Sequence, residues 1–122
     1  MSEPRVLVLG LDPFRVPGPW DPQPVADKIE AGMAQFEAAG VGARSCLVGL
    51  DGSDDIETVL TAALTERPWE VVVVGGGIRR AEGQLFEDVI NLVRRHAPGA
   101  AIAFNETPDD TYRAAARRLN GA

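Results

Sequence analysis

Val71-Val72-Val73-Val74-Gly75-Gly76-Gly77-Ile78-Arg79-Arg80 sets four β-branched residues, three glycines and a pair of arginines in succession. Four apolar residues in a row leave no solvated face, so they form a strand covered on both sides, as in a parallel sheet between helices. The glycines end that strand. Without Cβ atoms they let the backbone turn sharply and approach a ligand or another backbone closely. The arginines beside them supply donors for an anion.

The same unbroken apolar character marks Arg5-Val6-Leu7-Val8-Leu9-Gly10-Leu11 as a first buried strand, stopped by Asp12-Pro13. Residues 12–21 then form a connection with Pro13, Pro17, Gly18 and Pro19, longer than the ~2 to 6 residues usual between a strand and a helix. Asp21-Pro22 starts a helix, with Val25, Ile29, Met33 and Phe36 as its apolar stripe and Gly40 at its end. A second strand lies within residues 41–50; its apolar residues alternate less cleanly, which places it near a sheet edge. Asp54 and Glu57, at capping-box spacing, open a second helix with an inward stripe of Ile56, Val59, Leu60, Ala63 and Leu64.

Beyond the glycines a third helix spans about residues 82–97. Its apolar arc, Leu85, Phe86, Val89, Ile90, Leu92, Val93, His96 and Ala97, is wider than packing on a sheet alone requires. The extra width implies contact with a neighbouring helix or with a second subunit, so a homo-oligomer is expected. Residues 100–105 form a short fourth strand. Thr107, Pro108 and Asp110 then start the last helix, with Tyr112, Ala115, Ala116 and Leu119 inward and Arg113, Arg117 and Arg118 solvated.

Strand and helix alternating four times in 122 residues define one α/β domain. Right-handed crossovers favour a four-stranded parallel sheet of order 2-1-3-4 with helices on both faces, a flavodoxin-like or Rossmann-like arrangement. Ligands of such sheets sit beyond the carboxyl ends of the strands where the order reverses, here between the first and third strands.

The long connection and the glycine loop flank that crevice. Asp12, Phe14, Arg15 and Trp20 would then face Gly75, Gly76, Gly77, Arg79 and Arg80, with Asn105 and Asp51 at the ends of the outer strands. Glycine N–H groups and a guanidinium near the start of the third helix would hold a phosphate or carboxylate.

Other chemistries lack their residues. Gly75 and Gly77 fit two positions of a dinucleotide fingerprint, but Arg80 stands where the third glycine belongs, and no glycine loop ends in Gly-Lys-Ser or Gly-Lys-Thr. Asp12, Asp51 and Asn105 could converge as oxygen ligands for magnesium, but aspartates after strands more often satisfy turns and helix ends, so no metal and no cofactor is expected. His96 falls at the end of its helix away from the crevice, and Cys46 lies inside a strand; no catalytic triad can be assembled. A formal net charge of -6 argues against nucleic acid, and no apolar run approaches the ~20 residues of a membrane span. With a single cysteine and no export signal in Met1-Ser2-Glu3-Pro4-Arg5, a cytoplasmic location is expected. One lysine, Lys28, beside abundant Ala, Gly and Pro, fits a GC-rich bacterial genome.

Two resemblances bear on these expectations. Val6 to Phe14, Val-Leu-Val-Leu-Gly-Leu-Asp-Pro-Phe, resembles the opening strand and loop of pyroglutamyl peptidases over nine residues. Those enzymes are much longer, and their Cys, His and Glu triad has no counterpart here at matching motifs, so their activity does not carry over. From Val71 to about Leu119, the Gly-Gly-Gly-Ile-Arg turn, the Leu-Phe start of the third helix and Ala-Phe-Asn before the last resemble small uncharacterised bacterial α/β proteins. That resemblance implies the fold and no activity.

Three functions are open on these grounds. The first is a small-molecule-binding domain for an anionic ligand bearing a phosphate or carboxylate. The second is a structural or interaction protein acting as a homodimer, and the third an enzyme on a phosphorylated or carboxylated metabolite with Asp12 as base.

Overall fold

The computed structural model describes residues 3–119. Met1 and Ser2, which begin the stretch read above for an export signal, lie outside the described residues. Four parallel strands, β1 (Val6–Leu11), β2 (Ala43–Val48), β3 (Val71–Val74) and β4 (Ala101–Phe104), pair in the order β2-β1-β3-β4. This is the expected α/β arrangement of flavodoxin-like and Rossmann-like folds. No helix among the described residues is long and apolar enough to cross a membrane.

Alternation along the strands divides the core. Leu7, Leu9, Val72 and Val74 face α2 (Ile56–Thr65) and α4 (Leu85–His96), whose Leu60, Leu64, Val89 and Val93 close that side. Val6, Val8, Val71, Val73 and Ala103 face α1 (Gln23–Ala38) and α5 (Thr111–Leu119), which contribute Phe36, Ala114 and Ala115. All four valines of β3 are fully buried, as covering on both faces demands. β2, with Arg44 and Ser45 exposed, is an edge strand. Gly40, at φ +71°, ends the α1 segment in the left-handed region that residues with a Cβ avoid.

Several boundaries differ from expectation for local reasons. Residues 76–80 are not loop: Gly75 acts as N-cap and Gly76–Arg80 form a one-turn helix, α3, with the Arg79 N–H donating to the Gly75 carbonyl at 3.1 Å. The helix expected from residue 82 starts at Leu85, because Gly83 at φ +81° breaks the chain before it. α1 begins one residue later than read, with the Asp21 carboxylate accepting from the Gln23 N–H. Asp55, not Asp54, caps α2; Asp54 instead turns back to accept from the Gly49 N–H at 2.8 Å. Pro108–Asp110 form a 3-10 turn that leads into α5, whose buried residues are Thr111, Ala114 and Ala115 while Tyr112 packs edge-on against Phe36.

Part of the wide apolar arc of α4 is covered within the chain, while Leu85, Phe86, Ile90 and His96 stay half-buried. Its flanks meet α2 on one side and, through Phe86, the ring of Phe104 at 5.9 Å on the other.

Candidate functional site

The α1/α5 face of the sheet thins out toward its carboxyl rim. Gly10 pairs in register with Leu47, and one step beyond the paired segments the same register sets Gly75 beside Gly10 and Asn105 beside Gly75. Two adjacent glycines in that row leave α1 nothing large to rest on. The amino-terminal half of its stripe, Val25, Ile29 and Met33, is accordingly only half-buried, whereas Phe36 one turn further is buried. Between helix and sheet lies a cleft of about 180 Å³, walled chiefly by Val8, Leu47, Val25, Ile29, Met33 and Trp20.

The cleft's rim is built at the end of β3. Asn105, buried to 5% exposure, accepts from the Gly76 N–H through Oδ1 at 2.8 Å and donates through Nδ2 to the Thr111 hydroxyl at 2.8 Å. The Thr111 hydroxyl in turn donates a hydrogen bond to the Pro108 carbonyl at 2.7 Å. One side chain therefore ties β4, the start of α3 and the start of α5 together. The first N–H of α3 is filled by this bond, so the glycine cradle expected for an oxyanion already holds an amide oxygen.

Arg80 is exposed at the mouth and folds back over Gly76, where an added Cβ would stand 2.7 Å from its guanidinium and 2.9 Å from the Glu106 carbonyl. Its one hydrogen bond among the described residues is a long one, 3.5 Å, to that carbonyl. No carboxylate among the described residues pairs with it. Arg79 points elsewhere: it donates to the Asn105 carbonyl at 3.1 Å, lies over the Phe104 ring and faces the Glu106 carboxylate at 3.7 Å.

The expected site residues thus separate into two groups. Trp20, Gly75, Gly76, Gly77, Arg80 and Asn105 come together around the cleft. Asp12, Phe14, Arg15 and Arg79 do not line it. Arg15 is engaged between Asp12 at 2.9 Å and Asp54 at 2.7 Å, and so fastens the long connection to the turn before α2. Phe14 is exposed at 61% and lies outside the cleft.

Asp12 accepts from Arg15 and from the Phe14 N–H. The hydrogen bond from Arg15 chiefly holds its carboxyl below the usual carboxylate range. A carboxylate so stabilised is a poor base.

Asp51 is likewise lowered, foremost by the Ser53 hydroxyl. Among the described residues no three His, Cys, Asp or Glu side chains gather as metal ligands. Cys46 is half-buried, and desolvation raises its thiol pKa, which disfavours the thiolate. His96 sits at the opposite end of the sheet, beside Trp69 and Ala100.

The residues not anticipated are the cleft's apolar walls: Val25, Ile29, Met33, Leu47 and, at its floor, Val8. Their signal in sequence is the placement of Gly10 on the strand face opposite the α1 stripe, which becomes readable only when strand register is known. No family model, curated protein or solved structure matches this chain.

Proposed function

We propose that the protein is a small-molecule-binding domain that takes an anionic ligand into the cleft at the carboxyl ends of β1 and β3, with Arg80 as the charged anchor. One observation carries this reading. A guanidinium with no carboxylate partner among the described residues stands at the mouth of an apolar cleft, at the point where the strand order reverses and open α/β sheets bind ligands. Trp20, whose indole N–H donates to the Val16 carbonyl at 3.2 Å, supplies a wall and an optical probe. The single half-buried cysteine fits a reducing cytoplasm.

The test is a thermal-shift and tryptophan-fluorescence screen of small organic acids and phosphates against the protein, Arg80→Ala and, as a control, Arg113→Ala, an exposed arginine of α5 that does not line the cleft. Saturable binding by the protein and Arg113→Ala, lost in Arg80→Ala, is the expected result. Equal binding by all three proteins would remove Arg80 from the site.

A further inference from the structure

We infer that the anion this cleft takes is a small monocarboxylate with a branched aliphatic or single-ring body, rather than a nucleotide or a sugar phosphate. The inference rests on the reading just given and narrows its ligand class.

Size sets the first limit. A cleft of about 180 Å³ is well below the ~300 to 1,000 Å³ of pockets that enclose drug-sized ligands and near the ~150 Å³ cavity that accepts benzene. It holds a body of about six to nine non-hydrogen atoms on that scale. A nucleoside alone exceeds it.

The walls set the second. Val8, Val25, Ile29, Met33 and Leu47 offer no donor to a ribose hydroxyl or phosphoryl oxygen pressed among them, and a polar group buried without a partner costs a few kcal/mol, about 1–3 from protein substitutions. An isopropyl or phenyl group gains there by the area it removes from water.

The donors set the third. At the rim the Gly76 N–H is bonded to Asn105, the Asn105 amide to Thr111 and the Thr111 hydroxyl to Pro108, so those polar groups are satisfied by one another. What remains is the Arg80 guanidinium, the one basic side chain among the described residues that line the cleft, with Glu106 beside it at the rim and Ser45 on the β2 wall. A single planar guanidinium fork matches the two oxygens of one carboxylate. A dianionic phosphate is held in proteins by several donors or by a helix amino-terminus, and here the first N–H of the one-turn α3, that of Gly76, is taken by Asn105.

The experiment is titration of isotope-labelled protein with 3-methylbutanoate, benzoate, the neutral 3-methylbutanamide, inorganic phosphate and AMP, following the backbone amides of Gly10, Gly75 and Gly77 and the Trp20 indole. The two carboxylates are expected to shift these resonances saturably. The neutral amide, and Arg80→Ala titrated with either acid, should bind about tenfold or more weakly, as loss of a charge-assisted hydrogen bond implies. Arg80→Lys, which retains charge without the fork, should fall between. Arg80-dependent binding of phosphate or AMP, with no response to the carboxylates, would overturn the ligand class and leave an anion site standing. If the neutral amide binds as tightly as the acid, or if none of the five probes moves these resonances, the anion site fails together with the inference.

Discussion

Asn105 shows how much one buried amide can organise. Its oxygen caps α3 and its nitrogen bonds Thr111, so three segments meet at a single side chain. Asn105→Ala leaves the buried Gly76 N–H without its acceptor, and the expected cost is about 1–3 kcal/mol in urea unfolding at constant m-value. The Asp12 carboxyl makes a different prediction. Its folded pKa is depressed, first by the hydrogen bond from Arg15, so its contribution to stability is present above the unfolded value near 3.9 and disappears as the pH falls through the lowered folded value. Asp12→Asn should therefore lower the melting temperature at pH 7, and the difference should narrow as the pH falls below the unfolded value, as read by thermal melts across that range. At this scale the sequence was a fair guide to residue type and a poor one to partner. Asp12, Arg15 and Arg79 all look free beside a crevice. Arg15 is engaged with Asp54, 39 residues away, and Arg79 with the Asn105 carbonyl, 26 away, contacts that no local pattern encodes.

Among the elements, α1 is the one with two different lives along one stripe. Phe36 is buried against Val6, Val71, Ala114 and Ala115, with the Tyr112 ring edge-on at 5.3 Å, while Val25, Ile29 and Met33 border the cleft. Phe36→Ala should accordingly cost about 3–5 kcal/mol in denaturant unfolding. Val25→Ala, which removes atoms already half in water, should cost well under half as much and weaken ligand binding instead. A helical period reports which residues share a face and says nothing about what that face meets. The stripe was legible; its division was not, because the division comes from Gly10 and Gly75 in the opposed strands. The same limit applies to α4: its period marks a broad arc, and only the structure shows that α2 and Phe104 meet its flanks.

For the whole molecule, the cleft is a place where packing has been left incomplete beside an otherwise closed core. Ser45, on the edge strand opposite Val8, lies on its wall. Ser45→Leu should fill part of the space, leave the melting temperature unchanged or raise it by burying up to about 1 kcal/mol of apolar surface, and abolish the Trp20 fluorescence response to ligand. A fall in stability with binding intact would mean that the cleft is not the ligand's place.

By itself the sequence determined the class of the protein, its four strands and their order. Apolar runs of strand length, helical periods between them, and the right-handedness of crossovers are local or near-local constraints, and together they admit few topologies. It also placed the crevice, since reversal of strand order follows from that topology. Tertiary structure alone decided which side chains reach the crevice and which are spent on one another. Register puts Gly10, Gly75 and Asn105 in one row, Asn105 fills the amino-terminus of α3, and Arg80 folds over Gly76 while its neighbour Arg79 turns to Phe104. Each of these depends on distances between segments remote in the chain, which are set by how the strands align and how closely the helices can approach them.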